Sequence, residues 1–267
     1  MYPRLFELGP ITVYTYGVLL AAAYLLGLKL AMVRAKARGL DANRVLDLGI
    51  YIIISALIGA KLLLLVTDFE MFAENPRELL TLARSGGVFY GGLILAVAVA
   101  LVYIKRIGLP LWTTTDVFAP GIALGHVVGR FGCLFAGCCF GKPTTMPWGI
   151  TFRDTFAATN VGTPLGVPLH PTQLYEAGAE LLILVVLLVT ERKGRAYPGR
   201  TFWLYMLLYS VSRFIIEFYR GDDRGNPIGM LSTSQLISVL LAPLAIVMLV
   251  YLSRAVTPEP KRARKAA

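Results

Sequence analysis

The chain has 267 residues, of which 56% are hydrophobic and only 16% are charged, and its mean hydropathy is +0.66. Soluble domains carry about 25% charged residues, so this composition excludes an ordinary soluble enzyme and predicts a polytopic membrane protein. Three cysteines are too few for a disulfide-rich scaffold. The net charge of +10 does not indicate nucleic-acid binding, because the basic residues lie beside apolar segments, as membrane topology requires.

Seven apolar runs follow one another along the chain, each near the 20 residues that a helix needs to cross a bilayer. They cover residues 11–32, 45–66, 87–104, 116–135, 172–189, 201–219 and 236–252. We therefore predict an all-α integral membrane protein with seven transmembrane helices, in a single polytopic domain over residues 1–267. The longest loop, residues 141–169, is rich in Pro, Gly and Thr.

The basic residues of the loops predict the orientation of these helices. One set of loops, with the C-terminal tail, carries fifteen: Arg34, Lys36, Arg38, Arg44, Lys105, Arg106, Arg192, Lys193, Arg195, Arg200, Arg254, Lys261, Arg262, Arg264 and Lys265. The other set carries seven: Arg4, Arg77, Arg84, Lys142, Arg153, Arg220 and Arg224. The positive-inside rule then places the N-terminus outside (periplasmic), the loop 141–169 outside, and the basic tail 254–267 in the cytoplasm.

Polar residues inside the predicted spans fall at similar depths. Counted along each span from its predicted entry side, they all lie in the outer leaflet: Tyr16, Tyr90, Arg130, Gln173, Glu176, Arg213 and Glu217. Charged and hydrogen-bonding groups are costly at this depth, so their co-location indicates a functional site.

Two arginines in one leaflet admit two interpretations. In the first, Arg213 forms a structural ion pair with Glu217, four residues further along the helix, while Arg130 extends toward the interface. In the second, Arg130 and Arg213 hold a lipid phosphate, whose oxygens suit the guanidinium fork, with Arg220 assisting at headgroup depth. We favour the second, because the sequence offers too few acidic partners to explain both arginines.

His126 and the three cysteines also lie in or beside the fourth span. His126 is either a hydrogen-bonding partner between helices or a general base. The spacing C-x4-C-C of Cys133, Cys138 and Cys139 is not a standard zinc spacing, so we expect no metal site. A local disulfide is an alternative, and small packing residues at a helix contact are the default.

The stretch GRFGCLFAGCCFG, residues 129–141, resembles the signature G-R-x-G-N-x-x-N-x-E-x-x-G of the phosphatidylglycerol–prolipoprotein diacylglyceryl transferase family. Further segments follow in the family's order: YTYGVLLA, SGGVFYGGLI, HPTQLYEA and YSVSRFIIEFYR. The resemblance implies a seven-span enzyme of the bacterial inner membrane that moves the diacylglyceryl group of phosphatidylglycerol onto the lipobox cysteine of a prolipoprotein. The product is a thioether, glycerol 1-phosphate is the leaving group, and no cofactor is expected.

The resemblance also implies which residues form the site. Matching positions are Tyr16, Gly91, Gly92, Arg130, Gly141, Tyr209, Arg213, Glu217 and Arg220. Tyr90, Cys133 and Cys138 depart from it, standing where the family has a histidine, an asparagine and a glutamate. The predicted catalytic residues are Arg130, Arg213, Tyr90, His126 and Glu217. Those predicted to bind substrate are Arg130, Arg213, Arg220, Tyr16, Gly91, Gly92, Cys133, Cys138, Gly141, Tyr209, Gln173 and Glu176.

Two other functions stay open at this point. A phospholipid-binding or transport protein of the same fold, without transferase activity, is favoured by the three departures at Tyr90, Cys133 and Cys138. A thiol-redox membrane protein is supported only by the cysteines. The partners expected for the main interpretation are phosphatidylglycerol and a prolipoprotein signal peptide.

Overall fold

A computed structural model of the protein describes residues 2–9, 11–75, 87–193, 197–222 and 231–255. These residues are mostly helical. In chain order the elements are β1 (Arg4–Leu8), β2 (Ile11–Tyr14), α1 (Thr15–Ala37), α2 (Ala42–Thr67), α3 (Phe69–Glu74), α4 (Phe89–Ile107), α5 (Leu111–Ala136), β3 (Ile150–Thr151), α6 (Thr155–Val161), β4 (Pro168–Leu169), α7 (Thr172–Lys193), α8 (Arg200–Glu217) and α9 (Thr233–Ala255).

Each of the seven predicted spans contains a long helix, but they do not all have the composition of a membrane span. Within the described residues, six helices are long and apolar enough to cross a membrane: α1, α2, α4, α5, α7 and α9. Helix α8 is not among them, because three of its 18 residues, Arg200, Arg213 and Glu217, are charged. The described residues are thus consistent with the predicted all-α integral membrane class, with six candidate spans by length and composition.

The first predicted span starts later in the structure than in the sequence-based prediction. The first helix begins at Thr15 rather than at residue 11, because residues 11–14 form β2, which pairs antiparallel with β1. The predicted basic tail, residues 254–267, lies outside the described residues beyond Ala255.

The chain divides into two compact units, one of residues 1–31 and 115–267 and the other of residues 32–114. In the second unit, α2 packs against α4 through glycines. A Cβ at Gly91 would collide with the carbonyl oxygen of Gly59 and with the side chain of Leu63. The backbone N–H of Val88 donates to the carbonyl oxygen of Ala60 at 3.0 Å. Small residues let the two backbones approach this closely, as in other membrane helix pairs.

In the first unit, α5, α7 and α8 share an apolar core. Its buried side chains are Ala119, Ala123, Ile183, Leu184, Leu187 and Tyr205. Next to this core, the buried carboxylate of Asp116 on α5 accepts hydrogen bonds from the backbone N–H groups of Gly199 (2.8 Å) and Phe202 (2.9 Å). These N–H groups lie at the start of α8 and have no partner within their own helix. A carboxylate that is costly inside a span therefore holds the start of the neighbouring helix.

The predicted loop 141–169 has structure of its own. Strands β3 and β4 pair antiparallel, and the fully buried Phe152 and Leu169 pack with Phe140. The hydroxyl of Thr163 donates to the carbonyl oxygen of Gly137 at 2.9 Å, which ties the loop to the end of α5.

Candidate functional site

Three helices of the first unit bring together polar side chains that are spaced four residues apart. One helical turn separates the members of each pair, so both lie on the same face of their helix. These six residues, which we call the polar ladder, are His126 and Arg130 on α5, Glu176 and Glu180 on α7, and Tyr209 and Arg213 on α8.

Glu176 is the centre of the charged part of the polar ladder. Its Oε2 is paired with Nη2 of Arg130. Its Oε1 accepts hydrogen bonds from Nη1 of Arg213 at 3.1 Å and from Nη1 of Arg220 at 2.8 Å. The Glu176 side chain is only 5% exposed, so these charge-assisted bonds form in a largely water-free environment where they are strong.

Arg213 and Arg220 each have a second acidic partner. Nη2 of Arg213 lies 2.6 Å from Oε2 of Glu217, and it also donates to the Ser234 hydroxyl at 3.0 Å. Arg220 donates from Nε (2.7 Å) and Nη2 (2.6 Å) to the two carboxylate oxygens of Asp222. Burial opposes the charge on Arg220, but the hydrogen bonds to Asp222 and the charge of Glu176 raise its pKa, so this guanidinium stays protonated.

Of the three described arginines that contact Glu176, Arg130 is the one with unused hydrogen-bonding capacity. Its Nε is buried and has no partner among the described residues. Its Nη1 has only a long contact, 4.0 Å, with Sγ of Cys133. Since a guanidinium offers five N–H donors in a planar fork, Arg130 has donors left for an oxyanion.

His126 occupies the next turn of the polar ladder. Its Nδ1 lies 2.9 Å from Oε1 of Glu180, and its ring stacks on Tyr209 with ring centres 5.5 Å apart. Glu180 is 4% exposed, whereas His126 is 33% exposed. When Nδ1–H donates to this buried carboxylate, the imidazole is held in one orientation and Nε2 is left as a proton acceptor.

The three cysteines lie together at the C-terminal end of α5. Their Sγ atoms are all within 4.8 Å of one another, and none of the three forms a disulfide, so the local disulfide is absent. The first turn of α7 fixes the backbone here. Gln173 Nε2 donates to the carbonyl oxygen of Cys138 at 2.7 Å, and Thr172 Oγ1 donates to that of Cys139 at 2.8 Å.

Two of the remaining predicted site residues, Tyr16 and Gly141, belong to the first unit. Tyr16 packs against Gly132 and interacts electrostatically with Arg130 and the cysteines. Gly141 pairs with Arg220 as an isolated β-bridge, and a Cβ on it would strike His170.

Tyr90, Gly91 and Gly92 belong to α4 in the second unit. Both glycines are buried against α2, at Gly59 and Ala56 respectively. Helix packing alone explains their identity, and their role in substrate binding stays a prediction.

One expectation from the sequence is wrong. The two arginines do have enough acidic partners, because Glu176 lies between them and Glu217 pairs with Arg213, as predicted from their spacing. The expectation of too few acidic partners failed because residues far apart in sequence form these pairs. Glu176 is 46 residues from Arg130 and 44 from Arg220.

Sequence reasoning also missed Glu180, Asp222 and Ser234. Glu180 had a signal: it is a carboxylate inside a predicted span, four residues after Glu176 and hence on the same face. Asp222 and Ser234 lie outside the predicted spans and had no such signal.

Comparison with known proteins places nearly the whole chain in one family. Residues 3–251 match the family model described as prolipoprotein diacylglyceryl transferase. The chain is similar to proteins named phosphatidylglycerol–prolipoprotein diacylglyceryl transferase from several bacteria. The one from Clostridium tetani is 39% identical over 240 residues, covering 90% of this chain and 93% of its own. The one from Synechococcus elongatus is 31% identical (94% and 87% covered), and the one from Bacillus velezensis is 31% identical (93% and 91% covered). A match of this extent, on a helical chain with a buried arginine–carboxylate cluster, makes the protein a member of the prolipoprotein diacylglyceryl transferase family.

Proposed function

We propose that this protein transfers the diacylglyceryl group of phosphatidylglycerol to the lipobox cysteine of prolipoproteins. The peptide thiolate attacks C3 of the diacylglyceryl glycerol, a C–S bond forms, and the C3–O bond breaks. The leaving oxygen takes the electron pair and departs as part of glycerol 1-phosphate. The reaction balances without an oxidant, a reductant or a cofactor.

The observation that carries this proposal is the buried, unpartnered Nε of Arg130 beside a charge-balanced cluster. Arg213 and Arg220 are engaged by Glu176, Glu217 and Asp222, whereas Arg130 has an unpartnered Nε among the described residues. We assign the lipid phosphate to Arg130. Arg213 and Arg220 hold Glu176, and Glu176 orients Arg130. Preorganised donors of this kind stabilise the charge that develops on a leaving phosphate.

His126 is the general base in this proposal. A cysteine thiol ionises with a pKa of about 8.5, so its proton must be removed for rapid attack near neutral pH. The bond from His126 Nδ1 to Glu180 supports this role, because it leaves Nε2 to accept the thiol proton. Tyr90 stands where the family has a histidine, so a base from α5 would replace the missing one.

The proposal includes a place in the cell and an orientation. We place the protein in the bacterial inner membrane as a single domain with seven spans, of which α8 is the sixth in chain order. The N-terminus and the loop 141–169 face the periplasm, and the tail 254–267 faces the cytoplasm. The excess of basic residues in the predicted cytoplasmic loops supports this orientation. Charged residues in α8 agree with a span that faces other helices rather than lipid, since Arg213 and Glu217 are buried.

Two experiments test the activity. A strain lacking its own transferase should regain growth and mature lipoproteins when this gene is expressed. In vitro, phosphatidylglycerol labelled in its acyl chains should transfer the label to a lipobox peptide and release glycerol 1-phosphate. Binding of the lipid without any labelled peptide would contradict the proposal and favour a lipid-binding paralogue.

The role of His126 has its own test. His126→Gln should slow transfer at pH 7, and the deficit should shrink at pH 9, where the peptide thiol ionises without help. His170→Gln is the matched control, because His170 contacts Tyr175 (3.1 Å) and no carboxylate is among its described partners. An equal deficit at both pH values would exclude His126 as the base.

A further inference from the structure

The three cysteines in the last turn of α5 and just after it form a compact group of sulfur atoms. We propose that Cys133, Cys138 and Cys139 are a binding site for a soft, thiophilic metal ion such as Cu⁺ or Zn²⁺. The proposal does not rest on the proposed transferase activity, and it reverses the expectation of no metal that the C-x4-C-C spacing gave.

The positions of the sulfur atoms fit such an ion. Thiolates bind zinc at about 2.3 Å, so three of them around one ion lie roughly 4 Å apart. The three Sγ atoms are already within 4.8 Å of one another. Closing onto an ion therefore requires only small side-chain movements, and the backbone can keep its path.

The backbone is shaped to bring the thiols together. Gly137 and Cys139 both have a positive φ, 82° and 61°, and such values are uncommon for a residue with a side chain. The chain reverses direction at these two residues, which brings Cys138 and Cys139 close to Cys133 in the last turn of α5. Strained residues of this kind cluster at functional sites when their surroundings hold them in place.

Side chains of α7 supply the support. Gln173, which is fully buried, and Thr172, also fully buried, donate to the carbonyl oxygens of Cys138 and Cys139. Bonds that fix the residues carrying the ligands are a regular feature of protein metal sites.

The surrounding charges favour bound thiolates. Three thiolates with one monovalent or divalent cation leave a net negative charge. Arg130 Nη1 lies 4.0 Å from Sγ of Cys133, and Arg220 interacts electrostatically with Cys139. Nearby guanidinium groups offset this charge.

The donor atoms select the kind of ion. Within the described residues the group consists of three cysteines only, with no histidine or carboxylate among its members. Thiolate ligands favour Cu⁺ and Zn²⁺ over hard cations such as Mg²⁺ or Ca²⁺. Cu⁺ would be held by the three sulfurs alone, and Zn²⁺ would take water as a fourth ligand.

The first test measures metal uptake by the full-length protein in detergent. The reduced protein is mixed anaerobically with Cu⁺ or Zn²⁺ in competition with a chromogenic chelator. We expect about one ion per chain for at least one metal, and X-ray absorption should detect sulfur neighbours near 2.3 Å. Mg²⁺ is the control probe and should not bind. No uptake of either soft metal, or uptake through nitrogen and oxygen ligands only, would overturn the proposal.

The second test separates binding from misfolding. Because the chain has only three cysteines, mass spectrometry can count alkylated thiols on the folded wild-type protein directly. Bound metal should protect all three from a small alkylating reagent, and a chelator should restore their reactivity. Cys139→Ser should reduce uptake at least tenfold while its elution volume and thermal transition match those of the wild type. Unprotected thiols, or unchanged uptake by Cys139→Ser, would contradict the site.

Discussion

The two units of this protein hold their helices together by opposite means. In the second unit, α2 and α4 approach so closely that Gly91 has no room for a Cβ against Gly59. In the first unit, α5, α7 and α8 are joined by the polar ladder, with Glu176 shared among three guanidinium groups. Close packing tolerates no added atom, whereas a buried charge cluster tolerates no lost charge. The two units are therefore destabilised by different kinds of substitution.

The largest effect is expected from removing the central charge of the first unit. Glu176→Gln would leave Arg130, Arg213 and Arg220 short of a carboxylate in a site where Glu176 is 5% exposed. Breaking a buried ion pair by removing one partner costs about 3–5 kcal/mol, so the midpoint of thermal unfolding in detergent should fall sharply. Glu74→Gln, at an exposed glutamate of α3, is the matched control and should change little. Equal unfolding midpoints for both variants would show that the charge cluster does not stabilise the fold.

A smaller loss is expected from adding one carbon to the second unit. In Gly91→Ala, the new Cβ would collide with the carbonyl oxygen of Gly59, so α2 and α4 must move apart. Overpacking of this kind costs about 1–3 kcal/mol, measurable as reduced resistance to denaturant. Gly178→Ala on α7 is the control, since a Cβ there meets nothing within 4 Å. It should be neutral or slightly stabilising, because alanine is the better helix former. A Gly91→Ala protein as stable as the control would show that the α2–α4 contact is looser than described.

The smallest of the three stability effects concerns the start of α8. Asp116→Asn keeps one acceptor but replaces the other by an amide N–H₂, so one of the bonds from Gly199 and Phe202 is lost. Losing a helix cap costs typically about 1 kcal/mol. Asp41→Asn should be close to neutral, because Asp41 accepts a single exposed bond at the start of α2 and asparagine caps as well. Hydrogen exchange of the first turn of α8 would report the difference directly, and unchanged protection in Asp116→Asn would contradict the capping role.

Sequence reasoning identified the residue types of the site better than their pairings. The Arg213–Glu217 pair was predictable because it is local, one helical turn apart. The pairs of Glu176 with Arg130 and Arg220 were not, because they depend on how α5, α7 and the end of α8 pack. The convergence of the cysteines was hidden for a related reason: it depends on the positive φ of Cys139, which no spacing rule reveals.

The positions of the helices were also predictable where they depend on local sequence and not where they depend on tertiary contacts. The apolar runs located all seven long helices of the described residues, since hydrophobic length is a local property. They misplaced the start of α1, because residues 11–14 are apolar enough to extend a span and yet pair with β1. The polar character of α8 and the role of Asp116 at its start depend on tertiary contacts and were not predictable from composition.

The assignment of the lipid phosphate to Arg130 is tested most directly by the rate of diacylglyceryl transfer. Arg130→Lys keeps the charge but loses the fork, and a lost charge-assisted contact of about 1.5–3 kcal/mol corresponds to a rate roughly ten- to a hundredfold lower. Arg130→Ala should be slower still, while Arg106→Ala, at an exposed position near the end of α4, should transfer at the wild-type rate. If a folded, membrane-inserted Arg130→Ala protein also transfers at the wild-type rate, Arg130 does not hold the phosphate.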